Sequence, residues 1–255
     1  MAWYNEENPE ILNFVLVGNC GSGHHFLRSS LNAHPAMVCH ADLLSSDEST
    51  RKQEHEHYFG ASGKFPDWYQ PHILSMEQYL NNKIFDNNLH NEKAIGVCID
   101  YQTLYDGDLW EYLDQKCRQG DFCLIHVVRN PVACFVAQNA KSNAANSIKF
   151  GDSVNCTVNK EKLIKFVRNH IAAEMKVNQV FTDKVVLDYH ELLLDFKGTI
   201  ENVFSFLGIP FSSACIPNRK NKKVREVANT ITNYSMLESE LPLDVADFLK
   251  PYLLV

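Results

Sequence analysis

The sequence predicts an α/β fold, P-loop-like and three-layered, with a mainly parallel central sheet flanked by helices. Three observations predict it. Short apolar runs alternate with amphipathic segments along the chain. The first apolar run, ILNFVLV, ends in a glycine-spaced loop, GNCGSGHHF, that opens a helix. Composition is ordinary for a folded chain, 45% hydrophobic and 22% charged over 255 residues, which fits one α/β domain with loop insertions.

Taken in order, residues 11–18 form an apolar run closed by glycine, as suits a buried parallel strand. HHFLRSSLNAHP reads as a helix stopped by Pro35. MVCHADLL is a second strand or a strand-to-loop junction. Gly, Pro and many polar groups mark a variable loop insertion at about 45–75. A helical segment follows around 75–90. AIGVCID is a strand and DLWEYLDQKC a helix. FCLIHVV is a strong strand, and NPVACFVAQNAKS starts a helix with Pro131 near its first position. Residues 159–181 form a long amphipathic helix. KVVLDYHELL is a strand that leaves into a loop, and GTIENVFSFLGI a helix stopped by Gly208 and Pro210. No repeat or low-complexity linker divides residues 1–255, so a single domain is expected.

The net charge of −7 disfavours a general nucleic-acid or anionic-membrane binder. No apolar run approaches the length of a membrane span. The polar start, MAWYNEENPE, shows no targeting segment, and a cytoplasmic location is expected. The 8 cysteines are scattered with no C-x-x-C pair, several of them in apolar runs, and read as buried thiols.

Gly18 and Gly23 have the G-x-x-x-x-G spacing of a phosphate-binding loop, yet His24 and His25 stand where a nucleoside triphosphatase has Lys and then Ser or Thr. The backbone amides of a helix start bind anions without a lysine. The missing hydroxyl matters more, because it holds Mg²⁺ in those enzymes. A phosphate compound that is not hydrolysed with Mg²⁺ fits this loop. A glycine-rich turn with no ligand fits it also, and a P-loop kinase fits poorly. In parallel sheets ligands bind at the carboxyl ends of the strands. That rule gathers the loop after 11–17, the end of 122–128 and the end of 184–189 on one edge. Arg129 ends an apolar strand there, where a lone charge is costly unless a partner or ligand meets it. The pair His55 and His57, in QEHEHYF, has no third residue at a metal-ligand spacing.

The segment FVLVGNCGSGHHFLRSSLNAHPAMVCHADLL resembles the opening of the PAPS-dependent sulfotransferase family, PAPS being 3′-phosphoadenosine 5′-phosphosulfate. It looks closest to bacterial carbohydrate sulfotransferases of the nodulation-factor type. LIHVVRNPVACFVAQ is similar to the family's strand ending in an Arg for the 3′-phosphate. VVLDYHELLLDFKGTIENVFSFLGIP is similar to its Tyr-bearing strand end and following helix, and KKVREVANTITNYSMLESEL to its C-terminal helix. The resemblance implies a sulfotransferase fold and transfer of a sulfuryl group from PAPS to a hydroxyl of a carbohydrate or other small acceptor, with no metal. Its alternative is a catalytically degenerate relative that binds a nucleotide or partner.

Carried over residue by residue, the resemblance places donor contacts on Gly21, Ser22, Gly23, His24, His25 and Phe26. It assigns Arg129 to the 3′-phosphate and Tyr189 to the adenine side, with Arg219 and Lys220 closing over the 3′-phosphate. His24 and His25 are catalytic candidates, standing in for a basic side chain, and Asp42 is the general-base candidate with His40 as rival. Two positions depart from the family pattern. Gly21 stands where an Arg or Lys is usual, and Ala137 where a Ser is frequent.

Overall fold

Strand β1 (Leu12–Gly18) takes the centre of the sheet because both of its faces are apolar. Phe14 and Leu16 belong to one core, Val15 and Val17 to the other, and all four are fully buried. The structure, a computed structural model, describes residues 11–41, 78, 80–85, 92–106, 109–144, 158–181, 183–217 and 241–253. Strands β2 (Met37–Ala41), β3 (Ala94–Asp100), β4 (Phe122–Val128) and β5 (Lys184–Asp188) complete a five-stranded sheet of order β2-β3-β1-β4-β5. All four pairings are parallel, so the expected mainly parallel sheet is wholly parallel among the described residues. After β1 the chain goes first to one side, toward β3 and β2, and later to the other, toward β4 and β5. The crevice between β1 and β4 is therefore the switch point, where open α/β sheets bind ligands.

Helices α1 (His24–Leu31) and α7 (Phe196–Leu207) cover one face. Leu27 and Leu31 of α1 and Ile200, Val203, Phe204 and Leu207 of α7 pack on Phe14, Leu16, Ile125 and Val127. Helices α2 (Tyr101–Asp106), α3 (Trp110–Gln119) and α5 (Lys160–Val180) cover the other, with Leu104, Leu113, Ala173 and Val177 against Val15, Val17, Val97 and Leu124. Each such fully buried aliphatic side chain contributes roughly 1.5–3 kcal/mol. Helix α4 (Pro131–Ala144) and helix α8 (Leu243–Leu253) meet α5 in a smaller third cluster, while the short α6 (Tyr189–Leu194) continues β5.

Two local expectations differ from what is observed. Helix α1 stops at Leu31, ahead of Pro35, because Asn32 turns its side chain to β2: its amide donates to the Cys39 carbonyl at 3.0 Å and accepts from the Cys39 amide at 2.6 Å. The chain after β5 enters a helix rather than a loop, because the Asp188 carboxylate caps it through the His190 and Glu191 amides. Of the helical segment around 75–90, only a six-residue π-helical stretch, Leu80–Phe85, lies among the described residues together with one helical residue at 78. The insertion at 45–75 and the segment KKVREVANTITNYSMLESEL fall outside them.

No disulfide links the described cysteines. Burial pushes the Cys39, Cys117 and Cys134 thiols up to about 12, as expected of sulfurs that pack as small hydrophobes. No described helix is long and apolar enough to cross a membrane.

Candidate functional site

The loop after β1 turns on two glycines. Gly21 and Gly23 take φ of 87° and 95°, the left-handed region, and the Ser22 amide closes a turn onto the Asn19 carbonyl at 2.8 Å. Close approach adds a second demand. A Cβ on Gly21 would lie 2.7 Å from the Cys134 carbonyl of α4, and one on Gly23 would run into the Tyr189 ring. Packing therefore requires glycine at 21: the loop passes too near the α4 backbone for any side chain. Gly23 then precedes the first turn of α1, where amides have no acceptor within their own helix and the dipole favours an anion.

Arg129, just past β4, reaches back across the switch point. Its Nη1 donates to the Gly21 carbonyl at 2.6 Å, and its Cζ lies 4.2 Å from the centre of the Tyr189 ring. One half-buried guanidinium thus touches the glycine loop and the residue that opens α6. A guanidinium over an aromatic face gains cation–π attraction, and its remaining N–H donors are suited to a phosphate.

The other side of the loop is imidazole-rich. His24 is only 1% exposed, and its Nδ1 lies 2.9 Å from the buried Ser22 Oγ. The His24 and His25 rings are 4.3 Å apart, and one ligand atom each of His24, His25 and Cys98 all fall within 4.8 Å of one another. His25 and Phe26 are half-buried and line a cleft of about 290 Å³ with Ser29 and Cys215, and Phe26 packs on Phe196 at 5.2 Å.

Beneath the loop lies a polar network. The Asn19 amide donates to His170 Nδ1 at 2.6 Å, and His170 Nε2 lies 3.2 Å from Glu174 Oε2. The Tyr101 hydroxyl is 2.6 Å from His126 Nε2. Burial holds His126 down at about 4, with the Glu174 carboxylate opposing that shift. His40, the rival base, is buried in β2 and also held at about 4, by desolvation first and by the Arg28 charge second. At neutral pH it is a neutral imidazole and a weak base.

The structure thus brings Gly21, Ser22, Gly23, His24, His25, Phe26, Arg129 and Tyr189 to one sheet edge. The His24 side chain lies under the loop rather than on its open side, because the first residue of α1 faces the core that Leu27 and Leu31 continue. Asp42, Arg219 and Lys220 lie outside the described residues. Cys98, Asn19, His170 and Glu174 join the neighbourhood although the sequence reading left them aside. His170 carried a signal: it interrupts the buried stripe Leu163, Val167, Ala173, Val177, and a polar residue on a buried stripe needs a partner.

A family model described as Sulfotransferase family matches residues 120–213, a span holding Arg129 and Tyr189 but not the phosphate loop. The sulfotransferase domain of the olefin synthase from Synechococcus PCC 7002 is similar at 14% identity and a TM-score of 0.50, over 96% of this chain and 95% of that one. A sulfotransferase from Alicyclobacillus acidocaldarius is 16% identical over 96% of this chain and 92% of that one, with a TM-score of 0.48. A mouse sulfotransferase, SULT7A1, complexed with PAP, is 14% identical over 94% and 89%, with a TM-score of 0.49. No curated protein matches the sequence. At these identities it is the fold that is shared: a parallel five-stranded sheet flanked by helices, the sulfotransferase fold.

Proposed function

We propose that the chain is a sulfotransferase that takes a sulfuryl group from PAPS and delivers it to a hydroxyl of a carbohydrate or another small acceptor. The observation that carries this reading is Arg129, which ties the loop carbonyl of Gly21 to the ring of Tyr189 across the β1/β4 switch point. A donor with a 3′-phosphate, a 5′-phosphate chain and a purine asks for a cation, a helix start and an aromatic side chain, and those three meet here. The donor supplies an activated sulfuryl group on a phosphate leaving group. The start of α1 would hold the 5′ side and favour the growing negative charge there. Arg129 would exchange the Gly21 carbonyl for the 3′-phosphate, holding it by two parallel hydrogen bonds. Tyr189 would flank the adenine, and Arg219 and Lys220 would add charge over the 3′-phosphate. Asp42 is proposed to take the proton of the acceptor hydroxyl.

Isothermal calorimetry with adenosine 3′,5′-bisphosphate, AMP and ATP with Mg²⁺ tests this. The bisphosphate is expected to bind tightest, with no added Mg²⁺. Tighter binding of ATP with Mg²⁺ would reject the reading.

One observation favours a second reading, a binding protein of the same fold without catalysis. Gly21 has no room for a side chain and His24 lies under the loop, so of the three candidates at these positions only His25 stands on the open side. Transfer of label from radiolabelled PAPS to a panel of hydroxyl acceptors separates the two. Bisphosphate binding with no transfer to any acceptor selects the second.

A further inference from the structure

We propose that His24, His25 and Cys98 form a three-ligand site for a borderline-soft divalent cation, Zn²⁺ above all, at the start of α1. The positions themselves are suggestive. After the second glycine of a phosphate loop, nucleoside triphosphatases place a Lys and then a hydroxyl that holds Mg²⁺. This chain puts an imidazole at each of those two positions, His24 and His25. The third residue comes from the neighbouring strand. Parallel register sets Cys98 opposite Leu16 and Asp100 opposite Gly18, so β3 delivers Cys98 beside the loop. Cys98 also belongs to the core on the face that α1 covers, which puts it on the same side of the sheet as the two histidines.

The geometry is near that of a metal centre. One ligand atom from each residue lies within 4.8 Å of the other two. Ligands about 2.0–2.3 Å from a tetrahedral zinc are about 3.4–3.7 Å apart. Closing the trio from that limit needs about 1.1–1.4 Å of movement per pair, within the reach of small χ adjustments. Ser22 Oγ, 2.9 Å from His24 Nδ1, supplies the outer hydrogen bond that orients a ligating imidazole. His25 is half-buried on the wall of the cleft of about 290 Å³, so one of the three ligands is reached from solvent.

Ligand chemistry selects the ion. Two imidazoles and a thiolate suit Zn²⁺, Co²⁺ or Cu and offer little to Mg²⁺ or Ca²⁺, which prefer oxygen. On binding, the Cys98 Sγ–H bond breaks, its proton goes to solvent, and the sulfur electron pair forms the metal–sulfur bond. The ion keeps a net charge of +1 after the thiolate is counted. At a helix start, where the dipole already favours an anion, that charge makes the fourth position a place for hydroxide or a phosphate or sulfate oxygen. The loop would then regain, through a metal, the positive charge that its sequence lacks. The proposal stands on the protein alone and does not need the donor reading to be right.

Cobalt is the probe. Titrating Co²⁺ into the reduced, nucleotide-free full chain is expected to give, at one equivalent, thiolate-to-cobalt charge transfer in the near-ultraviolet with the visible bands of tetrahedral coordination. Zn²⁺ should displace it. Cys98→Ser is expected to abolish the charge-transfer band. His25→Ala, at a half-buried position that the fold tolerates more easily, should weaken binding at least about a hundredfold, and Ser22→Ala about 10–100-fold as an outer partner. Circular dichroism confirms that each variant is folded. A charge-transfer band that survives Cys98→Ser, an octahedral spectrum, or unchanged affinity in His25→Ala would each overturn the proposal.

Discussion

The two sides of the glycine loop after β1 are built from opposite materials. Toward β3 and α1 the loop meets Ser22, His24, His25 and Cys98, short-range, imidazole- and thiol-bearing, and largely buried. Toward β4 and β5 it meets Arg129 and Tyr189, a fixed cation on an aromatic face. The first side holds the loop from below with hydroxyl, imidazole and thiol groups, and the second brings charge in from strands that lie far away in sequence. The lesson is that a glycine-spaced loop at a helix start need not carry the cation that stands beside it. Here two glycines let the loop pass between the α4 backbone and Tyr189, and the charge stands at the end of β4. The family match follows the same division, since residues 120–213 include the second side and stop short of the first.

Acid should erode both sides, and this is the largest effect expected. His40 lies near the first side and His126 near the second, and each is held at about 4 by burial against an ordinary value of 6.5. The unfolded chain therefore takes up these protons first. Stability is complete above about pH 6.5 and is lost as the pH falls toward 4, by roughly 3 kcal/mol for each histidine. Urea unfolding at pH 7.5 and pH 4.5 measures it. Equal stability at the two values would mean that neither imidazole is buried in its neutral form.

The next effect breaks the contact between the sides. Gly23→Ala forces a Cβ into the Tyr189 ring at a φ of 95°. Left-handed strain of about 1–2 kcal/mol and overpacking of similar size sum to about 3 kcal/mol. Adding Tyr189→Ala relieves the collision but not the strain, so the double variant should recover about half of the loss. A double variant no better than Gly23→Ala would show that the ring is not what Gly23 makes room for.

Arg129→Ala isolates the second side. Charged hydrogen bonds are worth roughly 1.5–3 kcal/mol, so adenosine 3′,5′-bisphosphate should bind about tenfold to a hundredfold more weakly. AMP, which lacks the 3′-phosphate, should hardly change. Arg129→Lys should not restore affinity, because an ammonium cannot form the fork that spans two phosphate oxygens. Equal losses for both ligands would mean that Arg129 braces Gly21 and reads no phosphate.

How much of this was legible in the sequence follows from the range of each interaction. The strands were legible because a strand buried on both faces must be nearly continuous in apolar residues, as LNFVLVG is but for Asn13 and FCLIHVV but for His126. The loop was legible because glycine spacing is local. Arg129 and Tyr189 were legible as strand-end residues, although their contact with each other was not, because 60 residues of chain separate them and the sheet order that closes that gap is global. The dipeptide His24-His25 could not say which ring goes under the loop; that depends on the phase of α1 against a core contributed by other strands. Cys98 looked like any cysteine in an apolar run until the parallel register set it beside β1. The helix after β5 was missed because its decisive signal is one carboxylate, Asp188, inside a segment that otherwise reads as a strand running on.

That carboxylate gives the smallest effect and the finest test of the second side. Asp188 Oδ1 accepts from the His190 amide at 2.7 Å and the Glu191 amide at 3.3 Å, and so caps the helix whose first residue is Tyr189. Losing an N-cap costs about 1 kcal/mol, and Asn or Ser at the position retains most of it. Asp188→Ala should therefore lower stability by about that amount in urea unfolding, and Asp188→Asn should recover most of the loss. Binding distinguishes a cap that only holds the helix from one that aims Tyr189. If Tyr189 flanks the adenine, freeing the start of α6 should weaken bisphosphate and AMP alike, by several-fold, because both carry the base. Arg129→Ala discriminates between the same two ligands, so one variant should be selective in its loss and the other not. Unchanged affinity for both ligands in a folded Asp188→Ala protein would remove Tyr189 from the adenine side and leave it as the ring that Gly23 and Arg129 pack against.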